Sequence, residues 1–316
     1  VKRLLTFSLL LVLAGVPREA AAQQATAETR YPLTVTDDSG TVLTLPAMPR
    51  RIISLTLPTD EILLSLVTSS RILAVTTLAS DPGISNVSTL AARVPRAMTL
   101  AVEPIVALRP DLVFAASWSD ASLVGQLRSA GVPVYLMTSA TSVAAAEREV
   151  ARCALLTGEV EKGAQIVTRM RAEIAAVERR VGGIPPQKRL TIIDYTSFGA
   201  SMGRGSSWDD IVRLAGLMNA VGGIASDEWG QVPVSREKLL EINPDIIIVP
   251  DWIYGDRRGA DVFRQRVMSD PALRVLSAVR AGRVYAMPER LRSSTSQFMA
   301  DAVAWLARIA YPTLFK

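Results

Sequence analysis

Short apolar runs alternate along this chain with longer stretches of 3.6-residue periodicity, and their order predicts a repeating β-α arrangement. Residues 31–48 (YPLTVTDDSGTVLTLPAM) alternate apolar and polar positions around Asp38-Ser39-Gly40, which predicts a hairpin. RIISL (51–55) then reads as a buried strand, TDEILLSLV (59–67) as a helix with Thr59 as N-cap, and RILAVT (71–76) as the next strand. EPIVALR predicts a short helix, DLVFAA a strand, SLVGQLRSA a helix stopped by Gly131, and PVYLM a strand. From Ser142 the character changes: SVAAAEREVARCALLTG and EVEKGAQIVTRMRAEIAAVERRV predict almost continuous helix, the second piece roughly 34 Å long at 1.5 Å per residue. Gly182-Gly183 and Pro185-Pro186 end it. The alternation then resumes with RLTIIDY (strand), SWDDIVRLAG and REKLLEI (helices), DIIIVP (strand), DPALRVLSAV (helix), RVYAM (strand) and a last helix from Ser296 to Ala310.

The two halves repeat one another. EPIVALRPDLVFAASW (103–118) returns 134 positions later as EKLLEINPDIIIVPDW (237–252), with Glu, Pro, Asp and Trp in the same places, and RSAGVPVYLM is echoed by VRAGRVYAM. Pro-Asp before a strand is common by itself, and Asp111 and Asp245 read as structural. Four matched positions, each copy followed by a matching strand, point to a duplicated unit. The expected fold is α/β: two lobes with mainly parallel β-sheets flanked by helices, bridged by one long α-helix that acts as a strut. The divisions predicted are 1–22 as a leader, 23–48 as an N-terminal segment with the hairpin, 49–141 as the N-terminal lobe, 142–183 as the linking helices and 184–316 as the C-terminal lobe. A rigid helix shared by both lobes predicts a small conformational change on ligand binding.

Composition narrows the classes. With 316 residues, 49% of them apolar and 21% charged, the chain is long enough for two packed lobes. Lys2 and Arg3 before the apolar run Leu4–Val16, then Ala20-Ala21-Ala22, form a signal-peptide pattern with cleavage after Ala22. That apolar run is shorter than the roughly 20 residues needed to span a bilayer. The only cysteine, Cys153, lies on an apolar helical face with Val150, Ala154 and Leu155 and is far from the cut, so neither a lipobox cysteine nor an intrachain disulfide is expected. Loss of Lys2, Arg3, Arg18 and Glu19 with the leader lowers the formal charge from +5 to +3; the remaining basic residues are scattered, which argues against nucleic acid as partner. Histidine is absent, which removes histidine-based triads, dyads, zinc sites and histidine-ligated haem. No Walker A or G-x-G-x-x-G pattern follows a strand, and GRGSS (203–207) is only a short loop.

The ordered succession RIISL…DEILLSL, EPIVALRPDLV, QLRSAGVPV, the long helix, GLMNAVGG, VSREKLL…PDIIIV and GRVYAMPE resembles the periplasmic substrate-binding proteins of ABC importers for cobalamin and ferric siderophores, over residues 51–315. The resemblance implies a helical-backbone binding protein, periplasmic and monomeric, that is not an enzyme. It implies no covalently required cofactor and no protein metal site: the ligand is a preformed metal chelate, either a ferric siderophore, a cobalamin-type corrinoid or haem. It also implies a partner, the ABC permease dimer of the inner membrane, onto which Glu103 and Glu237 dock. A pseudo-symmetric pair of carboxylates suits a twofold-symmetric permease; the local alternative is that each simply complements a helix N-terminus.

The ligand is expected in the cleft between lobes, where loops follow the strand ends. By position the candidates are Pro58 and Thr59, with Leu57; Asp81 and Asn86, with Ser85; Trp118 and Trp252 after the repeated strands; Tyr195, Phe198, Met202 and Arg204, with Ser201; and Trp229, Arg290 and Arg292. Aromatic faces suit a flat or bulky ligand, and the arginines favour an anionic ferric chelate over a corrin. Tyr195 or Tyr254 could supply a tyrosinate to haem iron. Two other classes share such folds: an exported chelatase-like enzyme and a protein-binding scaffold.

Overall fold

The computed structural model describes residues 29–98, 101–256 and 258–316. The proposed leader, 1–22, lies outside the described residues. Strands β1 (Leu33–Thr36) and β2 (Val42–Leu45) pair antiparallel in register Leu33 with Leu45. Gly40, at φ +81°, allows the tight turn, and the Asp37 carboxylate accepts from the Ser39 and Thr41 amides at 2.9 Å each. Asp37 and Asp38 also form ion pairs with Arg128 and Arg152, which fasten the hairpin to the N-terminal lobe.

That lobe runs β3 (Ile52–Ser54), α1 (Leu57–Leu66), β4 (Ile72–Thr76), α2 (Ser88–Ala91), β5 (Ala97–Met98), α3 (Val102–Ala107), β6 (Leu112–Ala116), α4 (Ala121–Ser129) and β7 (Val134–Met137). Its sheet is parallel, in the order β5-β4-β3-β6-β7. Every residue of β3 and β6 is buried, as expected of a parallel sheet covered on both faces. The N-cap of α1 is Thr56 and not Thr59: the Thr56 hydroxyl accepts from the Thr59 amide, and Pro58 fits the first turn.

The linking segment is a helical hairpin, not the near-continuous helix the periodicity predicts. α5 (Val143–Thr157) ends at Gly158, whose φ of +74° reverses the chain, and α6 (Val160–Val181) returns beside it. Gly163 of α6 packs so tightly on α5 that a Cβ there would lie 2.4 Å from that of Ala154, and Arg171 pairs with Glu147 across the two helices. α6 alone is the strut. It starts against the N-terminal lobe, where the Lys162 ammonium donates to the Leu66 carbonyl at 2.9 Å, and ends about 33 Å away with Val181 packed on Gly216 of the C-terminal lobe.

The C-terminal lobe runs β8 (Thr191–Asp194), β9 (Ala200–Met202), α7 (Ser207–Leu214), β10 (Met218–Asn219), β11 (Gln231–Pro233), α8 (Arg236–Ile242), β12 (Ile246–Pro250), α9 (Gly259–Ser269), α10 (Ser277–Arg280), β13 (Val284–Met287), α11 (Glu289–Arg292) and α12 (Met299–Ala310). β10-β8-β12-β13 form the second parallel sheet, while β9 and β11 pair antiparallel beside it. The duplicated unit is visible in space: β6 and β12 keep the 134-residue offset, and each follows an Asp that seals the start of its neighbouring strand. Asp111 accepts from the Arg50 and Arg51 amides at 2.7 and 2.9 Å, and Asp245 from the Thr191 amide and hydroxyl at 2.9 Å each. DPALRVLSAV is not one helix: a 3-10 turn at Leu273–Val275 precedes α10.

Candidate ligand-binding cleft

In both lobes the carboxyl ends of the parallel strands face the same space, which is where open α/β sheets bind ligands. The loops after β3, β6 and β7 supply one wall, the segment after β8 with β9 the other, and the chain after β13 the floor. Three adjoining cavities result. A small inner one of about 20 Å³ lies among Thr59, Trp118, Thr138, Ser139 and Glu149; one of about 360 Å³ lies between Pro58, Trp118, Arg290 and Ser293; and one of about 270 Å³ faces Asp194, Phe198, Ser201, Met202, Gln231 and Arg292. Thr295 borders all three.

Beneath them the lobes are clamped by one buried carboxylate. Glu61 of α1, 2% exposed, accepts through Oε1 from the Asn86 amide at 2.9 Å and side chain at 2.8 Å, and through Oε2 from the Ser296 hydroxyl. Asn86 also donates to the Arg290 carbonyl at 2.6 Å, and Gln297 donates to the Glu61 carbonyl at 2.9 Å. Burial pushes the Glu61 carboxyl up, against the lowering effect of its hydrogen bonds to Ser296 and Asn86.

The structure brings Pro58, Thr59, Trp118, Phe198, Met202, Arg290 and Arg292 to these cavities, with Leu57 and Ser201. Trp118 is 56% exposed, and its indole N–H donates to the Ser139 hydroxyl at 2.9 Å, which orients the ring in the open cleft. The remaining candidates do not line the three cavities, and each has a physical reason. Asp81 accepts from the Gly83 amide at 2.8 Å and closes its own turn. Asn86 belongs to the clamp, with both amide hydrogens engaged. Tyr195 follows Asp194 on the strand, so it points to the opposite face, where its ring lies 5.7 Å from that of Phe263. Arg204 donates from Nε to the Gly222 carbonyl at 2.7 Å. Trp229 sits on a turn closed by the Asp227 carboxylate. Trp252 is pressed against Gly83 of the other lobe and edge-on to Tyr254 at 5.9 Å.

Arg292 reaches the cleft with its charge already matched. Its Nη1 donates to both carboxylate oxygens of Asp194 at 2.8 Å, and its Nε and Nη2 donate to Glu289 at 2.6 and 2.8 Å. Burial pushes the Asp194 carboxyl up and the Arg292 guanidinium opposes it; the two carboxylates in turn hold the guanidinium protonated. The cluster as a whole is not cationic. Beside apolar residues, Arg290 and the carboxyls of Glu61 and Glu149, the lining holds neutral polar groups that include Thr56, Thr138, Ser139, Gln231, Ser293 and Thr295, none of them singled out as a candidate residue from the sequence. Thr138 and Ser139 follow the end of β7 and were reachable by the strand-end rule. Glu149, on a long helix, carried no such signal.

Away from the cleft, Glu103 and Glu237 occupy the same second position of α3 and α8, and both are exposed. The Glu237 carboxyl is held below its ordinary value by its own backbone N–H and the Ser235 hydroxyl.

Two parallel α/β sheets, one bridging helix and a cleft at the facing strand ends define a helical-backbone periplasmic binding protein. The chain belongs to the periplasmic binding protein family, whose sequence profile matches residues 52–291. It is 24% identical to the uncharacterized ABC transporter substrate-binding lipoprotein YvrC of Bacillus subtilis, over 99% of this chain and 96% of that one. It is 25% identical to a cobalamin-binding protein of Halobacterium salinarum over 69% of this chain and 58% of that protein. The fold is shared with the molybdate-binding protein MolA of Haemophilus influenzae (TM-score 0.76, 21% identity, 90% of this chain and 92% of that one). It is shared also with the heme-binding protein HmuT (TM-score 0.70, 20% identity, 90% and 92%). No helix among the described residues is long and apolar enough to cross a membrane.

Proposed function

We propose that this binding protein, exported to the periplasm through its leader, captures a cobalamin-type corrinoid in the interlobe cleft and delivers it to an ABC permease dimer that contacts Glu103 and Glu237. The single observation that carries the corrinoid reading is the pairing of an exposed Trp118, hydrogen-bonded to Ser139, with a cleft whose buried arginine is already neutralised by Asp194 and Glu289. A corrin offers a broad apolar face to the indole and primary amides to hydroxyl-lined walls, and it brings its own metal. An anionic ferric chelate, which the arginines favour on sequence grounds, would be met by Arg290 alone among the arginines lining the three cavities, since Arg292 is already committed to Asp194 and Glu289. Haem calls for cations to meet both propionates or a protein ligand to iron; the chain has no histidine, Tyr195 faces Phe263, and Tyr254 packs edge-on against Trp252 outside the three cavities. The cobalamin-binding relative points the same way.

Tryptophan fluorescence of residues 23–316, corrected for ligand absorption and checked by calorimetry, tests this. Cyanocobalamin is expected to bind saturably at one site with micromolar or tighter affinity, and more tightly than ferric siderophores, haemin or molybdate. Tighter binding of a siderophore would replace the corrinoid by an anionic cargo, and binding of none of them would return the chelatase and scaffold readings.

A further inference from the structure

The inner cavity contains a charged group that neither the fold nor the clamp uses. Glu149 sits in the first half of α5, is 8% exposed, and borders the cavity beside Trp118, Thr138 and Ser139. Its Oε2 is buried without a hydrogen-bond partner among the described residues. Its Oε1 lies 3.9 Å from Arg152 Nη1, too far for a hydrogen bond, and that nitrogen is already bonded to Asp38. A buried carboxylate oxygen left unbonded is costly, so its persistence at the wall of a binding cleft points to a ligand. At about 20 Å³ the cavity has room for one NH2 or OH group and not for a ring.

We propose that Glu149 is a specificity-determining residue that accepts a hydrogen bond from a neutral N–H donor, a primary amide projecting from the rim of the cargo, which enters beside the Trp118 indole. This rests on the corrinoid reading and deepens it. An amide-bearing chelate gains a charge-assisted hydrogen bond, whereas a chelate whose rim carries carboxylates meets a buried like charge and is rejected.

The charged and titratable groups around Glu149 are Arg148, Arg152 and Cys153 on its own helix, Tyr135 on β7 and Asp38 on the hairpin turn. Burial is the largest influence and pushes the Glu149 carboxyl up to about 7; Arg152 opposes it and Asp38 adds to it. Only the ionised form accepts without also presenting a competing O–H. Affinity for an amide donor therefore rises with pH until about 7 and then levels off, and binding near neutrality releases protons.

Cyanocobalamin affinity is to be measured from pH 5.5 to 8.5 by calorimetry in buffers of different ionisation enthalpy, for wild type, Glu149→Gln, Glu149→Ala and Trp118→Ala. The expected result is proton release by wild type, loss of affinity on the order of ten- to a hundredfold in Glu149→Ala at pH 8, and no pH dependence in either Glu149 variant. Trp118→Ala should bind more weakly with the pH dependence intact. If the Glu149 variants match wild type while Trp118→Ala is impaired, the cargo lies in the cleft without using Glu149 and this inference is overturned. If wild type does not bind cyanocobalamin, the corrinoid reading fails and takes this one with it. Should the Glu149 variants not fold, proton release by wild type decides: none across pH 6 to 8 overturns the assignment.

Discussion

Arg292 and Asp194, 98 positions apart in sequence, meet as a bidentate ion pair with Nη1 at 2.8 Å from both carboxylate oxygens, and the Asp194 side chain is 2% exposed. Replacing the guanidinium by an apolar chain leaves Asp194 and Glu289 buried together without a counter-charge. Arg292→Met is therefore expected to lose about 3–5 kcal/mol of stability. Adding Asp194→Asn and Glu289→Gln should recover most of that loss, and denaturant unfolding of the three variants measures both. A ligand-binding arginine would behave differently, changing affinity for anionic chelates with little effect on the unfolding midpoint.

Trp118 presents the opposite case. Its ring is exposed and contributes little to the core, so Trp118→Ala should change stability by less than about 0.5 kcal/mol. The same change removes the flat wall of the cleft and is expected to weaken cyanocobalamin binding about tenfold or more. Fluorescence loses a reporter in this variant, so calorimetry is the appropriate measurement. Unchanged affinity would move the ligand out of the space between Pro58 and Thr295.

Glu103 and Glu237 stand at matching places on α3 and α8, outside the linings of the three cavities. On the proposed docking role, reversing both charges should reduce transport in reconstituted or whole-cell uptake by well over tenfold, because a twofold-symmetric permease would contact each carboxylate in the same way. Ligand affinity should stay within about twofold, because neither group contacts the cleft. Either single reversal should fall between. Loss of ligand binding in the double variant would instead couple these helices to the site.

Asp60 ties stability to pH. It is fully buried, accepting from the Thr76 amide at 3.3 and 3.2 Å and from its hydroxyl; burial pushes its carboxyl up from 3.8 to about 7, with the Glu61 charge adding to the rise. The folded protein then holds this proton more tightly than the unfolded chain. Stability is greatest below pH 3.8, is lost as pH rises towards 7, and is level above that. Between pH 5 and 8 the expected loss from this group is on the order of 2–3 kcal/mol. Asp60→Asn keeps an acceptor for Thr76 and should remove that share of the slope, leaving the part due to Glu61 and Glu149, whose carboxyls are also pushed up. Urea unfolding of both proteins at pH 5 and 8 checks it; an undiminished slope in the variant would assign the effect elsewhere.

How much of this was legible beforehand depends on the range of the interaction. Fully apolar runs such as LVFAA and IIIVP identify buried parallel strands locally, and the 134-residue repeat marked Asp111 and Asp245 as structural; that each seals the start of a neighbouring strand emerged only from the structure. The turn at Gly158 was locally encoded too, since a glycine after a helical period is a stop signal; the unbroken periodicity on either side obscured it. α9 was missed because its apolar positions, Ala260, Phe263 and Val267, are diluted by charged residues. The cleft was legible only as strand ends. Whether Tyr195 or Asp194 faces it depends on strand phase, whether Arg292 is free depends on distant carboxylates, and no local pattern marks Glu149.

Trp118 and Trp252 show where internal repetition stops informing. They are equivalent in sequence, yet Trp252 is packed on the opposite lobe so closely that a Cβ on Gly83 would lie 2.2 Å from its Cδ1. The Asp81–Asn86 loop, which also carries the Asn86 end of the clamp, can approach only because residue 83 has no side chain. Gly83→Ala must displace the indole or the loop, and an overpacked contact of this kind costs about 1–3 kcal/mol. Trp252→Ala alone removes packing, but in its background Gly83→Ala meets open space and should cost almost nothing. A double-mutant cycle by denaturant unfolding is therefore expected to show coupling of at least about 1 kcal/mol. Additive effects would mean that the two residues do not touch in solution and that the lobes stand further apart, whereas strong coupling fixes Trp252 as a contact between lobes, unlike its exposed repeat partner Trp118.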